Sequence, residues 1–397
     1  MNEESSRLQV VTGPMAGAAL TVAVEAAGGR LVSWRPSQVD HRPDRVTAAY
    51  RARVRWGRQQ RARTETFGAT VGDRLPDGVT VVSDGLTRIG VWRVPHDPEL
   101  PGLAAATDPA AVRGVLRGFG VPATTVRLTL RSYRPRRRAV VEAAARGGRI
   151  FLKVVKPARA KDLHERHRLI AAAGLPVPQS LGWTDDGLVV LARLPGVPLR
   201  EALRVWHGPW PDVEEVTRLL DALPGALAEG PARPSWAERA PHFAARVSAA
   251  VPELTRRVHD LAAEIHDGCE AGPVVPIHGD LYEQQVLVDG GRVCGLLDLD
   301  TAGPGDRLDD VGCLLGHLDV LAQVWPRQGP TIAGLGARYL DALDRTCDPR
   351  QLRLRIAAVA LSLATGPHRV QEPGWRRVTA RRIDLVERWV VRANHHQ

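Results

Sequence analysis

From Arg30 to about Val94, apolar or β-branched residues alternate with arginines. Runs such as RVTAAYRARVRW (Arg45 to Trp56), ARTETFGATVG and VTVVSDGLTRIGVWRV are broken by Gly-Asp and Asp-Gly turns. Period-two alternation between turn residues predicts an antiparallel sheet whose arginines form a solvated face. PHDPELP (Pro95 to Pro101) reads as a linker, and Asp108 as the cap of a helix, DPAAVRGVLRGFG, that stops at Gly118 or Gly120. TVRLTLRSY (Thr125 to Tyr133), RRAVVEAAA (Arg137 to Ala145) and RIFLKVV (Arg149 to Val155) then predict a three-stranded meander, turning on an arginine-rich stretch and on Gly147-Gly148. In KDLHERHRLIAAAG, Leu163, His167 and Ile170 share a helix face, and Gly174 is a natural C-cap. GLPVPQSLGWTDDGLVVLARLPGVPL predicts a hairpin. From Arg200 onward the pattern is mainly helical, interrupted by the hairpin QVLVDGGRVCGLLDLD turning on Asp289-Gly290-Gly291.

A length of 397 residues, 44% hydrophobic and 25% charged, fits two to three folded domains and excludes a disulfide scaffold, a fibre or wholesale disorder. No apolar run of about eighteen residues occurs, and the start MNEESSRLQVVTG is polar and acidic, so a cytoplasmic chain with no signal peptide or membrane span is expected. The four cysteines form no C-x-x-C pair and read as buried thiols. The net charge of +10 hides a division: residues 201–350 hold 13 Lys and Arg against 24 Asp and Glu. That acidic middle argues against a uniform nucleic-acid surface. Lys153, Lys156 and Lys161 are the sole lysines among 54 basic residues, so a lysine retained here is a candidate for chemistry that arginine cannot supply. Asparagine occurs only as Asn2 and Asn394.

Ile277 to Gly312, IHGDLYEQQVLVDGGRVCGLLDLDTAGPGDRLDDVG, carries the chemistry. Asp280 precedes an apolar strand, and Asp298 and Asp300 end its hairpin partner, so a tight hairpin should bring Asp280 and Asp298 into one pocket. Carboxylates converging beside an amide make a hard oxygen site suited to Mg²⁺ and phosphate. One carboxylate can hold the metal while the other orients a nucleophilic hydroxyl.

His278-Gly279-Asp280, an amide five residues later, an Asp closing the next strand, then Gly305-Asp306 and Asp310 resemble the signature of the aminoglycoside phosphotransferase and choline kinase group of protein-kinase-like enzymes. The resemblance spans about residues 125–340. It implies an α+β, bilobal protein-kinase-like fold behind a β-rich cap: cap 1–105, N-lobe 106–195, helical C-lobe 196–397. It also implies transfer of the γ-phosphoryl group of ATP or GTP, with Mg²⁺, to a hydroxyl of a small molecule. Asp280 matches the catalytic base and Asp298 a metal ligand; Gln285 stands where the family usually has a metal-binding asparagine. That glutamine and the β-rich cap resemble the maltokinase-like branch. Asp300 stands where glycine is common and reads as an additional outer ligand. Lys153 matches the phosphate-binding lysine, Phe151 the adenine-stacking aromatic two residues before it, and Glu165 the lysine's ion-pair partner. No glycine-rich loop precedes them, and SYRPRRR (Ser132 to Arg138) is read as a guanidinium clamp on the phosphates.

His278, Asp306 and Asp310 read as structural ties, and Trp206, His207 and Trp210 as aromatic core, with an acceptor-pocket lining as the alternative. His164 and His167 lack zincin spacing, no Gly-Lys dipeptide allows a Walker A loop, and G-x-S-x-G is absent. The acidic middle favours a cationic acceptor such as an aminoglycoside, whereas Gln285 and the cap favour a sugar such as maltose. Gln285 and the missing glycine loop also leave open a catalytically silent nucleotide-binding module. No nucleic-acid, membrane or obligate protein partner is expected.

Overall fold

Alternation in the first hundred residues becomes a five-stranded antiparallel sheet in the computed structural model, which describes residues 3–42, 44–57, 61–146, 148–205 and 208–396. Gly147, Trp206 and His207 lie outside the described residues. The chain divides into two compact units, Met1–His164 with Ser180–Arg193 and His368–Pro373, and Glu165–Gln179 with Leu194–Pro367 and Gly374–Gln397.

The first unit opens with two helices that the alternation did not announce, α1 (Glu3–Thr12) and α2 (Pro14–Ala26). Ala16, Ala19, Leu20 and Val24 of α2 are buried at helical spacing and pack on β1 (Gly29–Arg42), β2 (Arg45–Trp56), β3 (Arg63–Gly72), β4 (Thr80–Ser83) and β5 (Arg88–Arg93), ordered β1-β2-β3-β5-β4. In β2, Ala52 and Val54 are buried while Arg51 and Arg53 are exposed, the expected alternation. Residues 95–101 are not a loose linker, because Asp97 is buried and accepts hydrogen bonds from Tyr133 Oη and the Arg136 amide. Two short helices follow, α3 (Gly102–Thr107) and α4 (Pro109–Gly118), the second capped by Asp108, which accepts from the Ala110 and Ala111 amides. A second antiparallel sheet, ordered β6-β7-β8-β10-β9, comprises β6 (Val126–Arg134), β7 (Arg138–Ala145), β8 (Gly148–Val155), β9 (Ser180–Trp183) and β10 (Leu188–Ala192). Between β8 and β9, α5 (Pro157–Ala172) buries Leu163, His167 and Ile170, and Gly174 ends it at a positive φ.

The second unit holds β11 (Val197–Pro198), α6 (Leu199–Val205), α7 (Val213–Asp221), α8 (Ala240–Ala250) and α9 (Thr255–Gly268), then β12 (Val274–Ile277), β13 (Val286–Asp289), β14 (Arg292–Leu296) and β15 (Gly303–Asp306). The helices α10 (Arg307–Val324), α11 (Gly329–Leu343), α12 (Pro349–Leu363), α13 (Gly366–Arg369) and α14 (Trp375–Asn394) complete the chain. Leu314, Leu318, Ile356, Ala360 and Val386 centre a single large apolar core, against which Trp210 packs. Of the cysteines only Cys313 is fully buried; Cys269, Cys294 and Cys347 are half-buried at the margins of packed elements, so the expectation of four buried thiols holds for one. No helix among the described residues is long and apolar enough to cross a membrane.

Candidate active site

The β13–β14 hairpin turns on Gly290 and Gly291, both at positive φ, and pairs Val286 with Leu296. Residues 278–285 enter it and residues 297–301 leave it, so the register places the two loops side by side. Gln285 O accepts from the Leu297 amide at 2.8 Å, and Gln285 Nε2 donates to Asp298 Oδ2 at 3.4 Å. His278, fully buried, donates Nε2 to Leu297 O at 2.7 Å; a carbonyl only accepts, so that nitrogen carries the proton and Nδ1 is left to accept from the Asp280 amide at 3.4 Å. Thr301 Oγ1 donates to His278 O at 2.9 Å. Asp280, Gln285 and Asp298 therefore belong to one hydrogen-bonded pair of loops.

Asp310, in the first turn of α10, locks the entry of this loop. Its carboxylate is fully buried and accepts from the His278 and Gly279 amides, each at 2.7 Å. Burial raises its pKa, and the neighbouring His278 and these two hydrogen bonds act against that. Gly279 has a φ of +78°, and a side chain there would begin 2.6 Å from Thr301 O. Asp298 adopts φ 59°, ψ 58°, a left-handed conformation that few non-glycine residues accept and that concentrates at functional positions. Asp306 caps α10 by accepting from the Leu308 amide and is ion-paired with Arg355. Asp300 lies in a short 3-10 turn, where its carbonyl accepts from Arg166.

Lys153 lies in β8 between Val140 of β7 and Val189 of β10 and is only 5% exposed. Phe151 and Val155 share its strand face. Phe151 packs beside Val155, Ala160, Leu163 and Leu191, so this is the face that α5 covers. Glu165 lies on α5, two residues beyond Leu163, and falls in the second unit. The arginine-rich turn between β6 and β7 departs from the expected guanidinium clamp. Arg136 is buried against the cap, pairing with Glu99 and donating Nη1 to Thr70 Oγ1 at 3.2 Å, and Arg137 lies 3.7 Å from Asp40. Both side chains thus face carboxylates of the cap. His164 and His167 meet Ser180 Oγ and Pro178 O, each at 2.8 Å.

A metal at Asp298 and Gln285 is chemically consistent with the donor set, since the carboxylate and amide oxygens are hard ligands and the two side chains already lie within 3.4 Å. Among the described residues no three His, Cys, Asp or Glu side chains converge on one ion site. This pair suits a cation that keeps most of its coordination for water and phosphate oxygens, as Mg²⁺ does. Two supports escaped the sequence reading. Glu283, fully buried under the loop, accepts from Arg200 Nη1 at 2.6 Å. Arg233 donates Nη1 to Thr301 O at 3.0 Å beside Gly279. Neither falls on a spacing that marks it.

No curated protein matches the chain. Among solved structures it is similar to a thermostable mutant of aminoglycoside phosphotransferase APH(4)-Ia in its apo form, at 18% identity over 69% of this chain and 97% of that one, with a TM-score of 0.49. It is also similar to macrolide 2'-phosphotransferase MphH from Brachybacterium faecium (21%, 70% and 97%, TM-score 0.42) and to aminoglycoside phosphotransferase APH(3'')-Id from Streptomyces rimosus (21%, 64% and 98%, TM-score 0.40). Residues 130–353, more than half of the chain and the whole of the loop pair built around Asp280 and Asp298, match the phosphotransferase enzyme family, to which this protein belongs.

Proposed function

We propose that the protein transfers the γ-phosphoryl group of ATP to a hydroxyl of a small molecule. The observation that supports this reading is the hydrogen-bonded loop pair that carries Asp280, Gln285 and a left-handed Asp298. Asp280 accepts a hydrogen bond from the acceptor hydroxyl and takes its proton as the new O–P bond forms and the bond to the β-phosphate oxygen breaks, releasing ADP. Lys153 holds the α/β-phosphates, Glu165 orients Lys153, and Phe151 offers an aromatic face to the base. Asp298 and Gln285 hold Mg²⁺, which neutralises phosphate charge when bound. Asp310 and His278 do no chemistry; they fix the loop so that Asp280 needs no reorganisation during the step.

The test is acceptor-dependent ADP release from MgATP, with MgGTP alongside, across hydroxyl compounds of different charge. Asp280→Ala should lower turnover about 10³-fold while leaving MgATP affinity nearly intact. Equal activity in that variant removes Asp280 from the mechanism. Asp298→Ala should abolish Mg²⁺-dependent nucleotide binding by calorimetry, and unchanged MgATP affinity would remove Asp298 from the metal site.

A further inference from the structure

The side of the Gly279–Asp280 loop that meets the start of α8 is basic. A side chain on Gly279 would begin 3.1 Å from Arg233 Nη1. Arg239 stands at the N-cap of α8, and Arg246 follows seven residues later on the same helix face. The Arg239 guanidinium is half-buried, 5.1 Å from the Trp236 ring centre and 5.0 Å from that of Phe243, so two aromatic faces hold it in place. Burial lowers its pKa, repulsion by Arg233 and Arg246 lowers it further, and attraction by Asp280 and Asp309 opposes both. Three guanidinium groups thus share one electrostatic neighbourhood with the carboxylate assigned to the acceptor hydroxyl.

Several of the acidic residues behind the −11 balance of residues 201–350 are held in ties away from this loop. Glu283 pairs with Arg200, Asp306 with Arg355, Glu215 with Arg292 and Glu253 with Arg376, while Asp319 accepts from Trp389 Nε1. These are internal ties and surface pairs, so this part of the acidic balance is not turned toward an acceptor. The planar forks of guanidinium groups match carboxylate and phosphate oxygens. We propose that Arg233, Arg239 and Arg246 receive an anionic group of the acceptor, a carboxylate or phosphate carried close to the hydroxyl that Asp280 orients. The assignment of that hydroxyl rests on the phosphotransfer reading above.

D-glucuronate, D-glucose and D-glucosamine share a pyranose ring and differ in charge, and their binding to the full-length protein can be followed by calorimetry with and without the Mg²⁺ complex of AMP-PNP. Glucuronate should bind at least about tenfold more tightly than glucose, and glucosamine more weakly than either. Arg239→Gln, checked for an unchanged melting temperature, should weaken glucuronate about tenfold or more and leave glucose unaltered; Arg246→Gln should act in the same direction. Tightest binding of glucosamine, or equal or undetectable binding of all three, overturns the proposal. So does an Arg239→Gln variant that loses AMP-PNP affinity but not glucuronate affinity, since the cluster would then serve the nucleotide phosphates. Charge-selective binding without acceptor-dependent ADP release from MgATP would leave the anion site standing and reject phosphotransfer. Phosphorylation of glucosamine with no preference for glucuronate would do the reverse.

Discussion

Asp309 and Asp310 are adjacent in sequence, both are buried, and they do different work. Asp310 answers two backbone amides of the Gly279 loop, whereas Asp309 accepts only a long hydrogen bond from the Trp236 amide, at 3.4 Å, and leaves Oδ1 without a hydrogen-bond partner. Burial accordingly pushes Asp309 from an ordinary 3.8 up to about 7, and nearby Arg355 offsets only part of that. The native state therefore holds a proton that the unfolded chain has released. The stabilisation from this group is complete below about pH 4 and is lost as pH rises through 7. Asp309→Asn cannot ionise, so it should gain stability relative to the native protein between pH 5 and pH 8, by an amount on the order of 2 kcal/mol. Melting curves at the two pH values check this; a difference independent of pH would show that Asp309 stays charged in the folded state. At this scale the sequence placed Asp280, Gln285 and Asp298 on the loops at the ends of one hairpin and Lys153 in a strand, because each lies at a fixed distance from a strand or turn. Arg233 and Glu283 were not legible, since what they touch is fixed by tertiary packing across long stretches of chain.

The loops are positioned by elements of unequal legibility. The β13–β14 hairpin was readable from its Asp-Gly-Gly turn and its alternation, and it alone accounts for Gln285 meeting Asp298. The β12–β15 pair was not, because Gly303–Asp306 reads GPGD and is a strand only by pairing with Val274–Ile277. The close approach of Gly279 to Thr301 is the most sensitive point of this arrangement. Gly279→Ala would put a methyl group 2.6 Å from Thr301 O at a left-handed φ, and a stability loss of about 2 kcal/mol or more with loss of turnover is expected. Wild-type stability in chemical denaturation would show that the loop yields more readily than its hydrogen bonds suggest. In the first unit the corresponding tie is Asp97, which accepts from Tyr133 Oη at 2.7 Å, the Arg136 amide at 2.8 Å and the Glu99 amide at 2.9 Å. Tyr133 Oη in turn accepts from Trp92 Nε1 at 2.7 Å. Asp97→Ala orphans three donors and should cost about 3 kcal/mol, read as a lower denaturant midpoint; a cost near zero would mean that water replaces the carboxylate. The helices α1 and α2 escaped the strand-oriented reading although α2 carries a plain helical spacing of alanine, leucine and valine.

Across the whole chain, charge is distributed by role and not by segment. The +15 of residues 1–200 reflects sheet-face arginines such as Arg51 and Arg53, together with Arg136 and Arg137 held by cap carboxylates. Part of the acidic excess of residues 201–350 is taken up by ties such as Glu283 with Arg200 and Asp306 with Arg355. What carries from sequence to structure is the pairing of the loops around Asp280, because local register enforces it, and the family match over residues 130–353 includes that stretch. The central claim is that this set moves a phosphoryl group onto a hydroxyl. Phosphorus NMR of MgATP incubated with the protein and its best-bound hydroxyl compound tests it most directly. The account predicts a new phosphate-ester resonance growing in step with ADP, and its absence with Asp280→Ala. Inorganic phosphate as the sole product, or an ester formed equally well by Asp280→Ala, would contradict it.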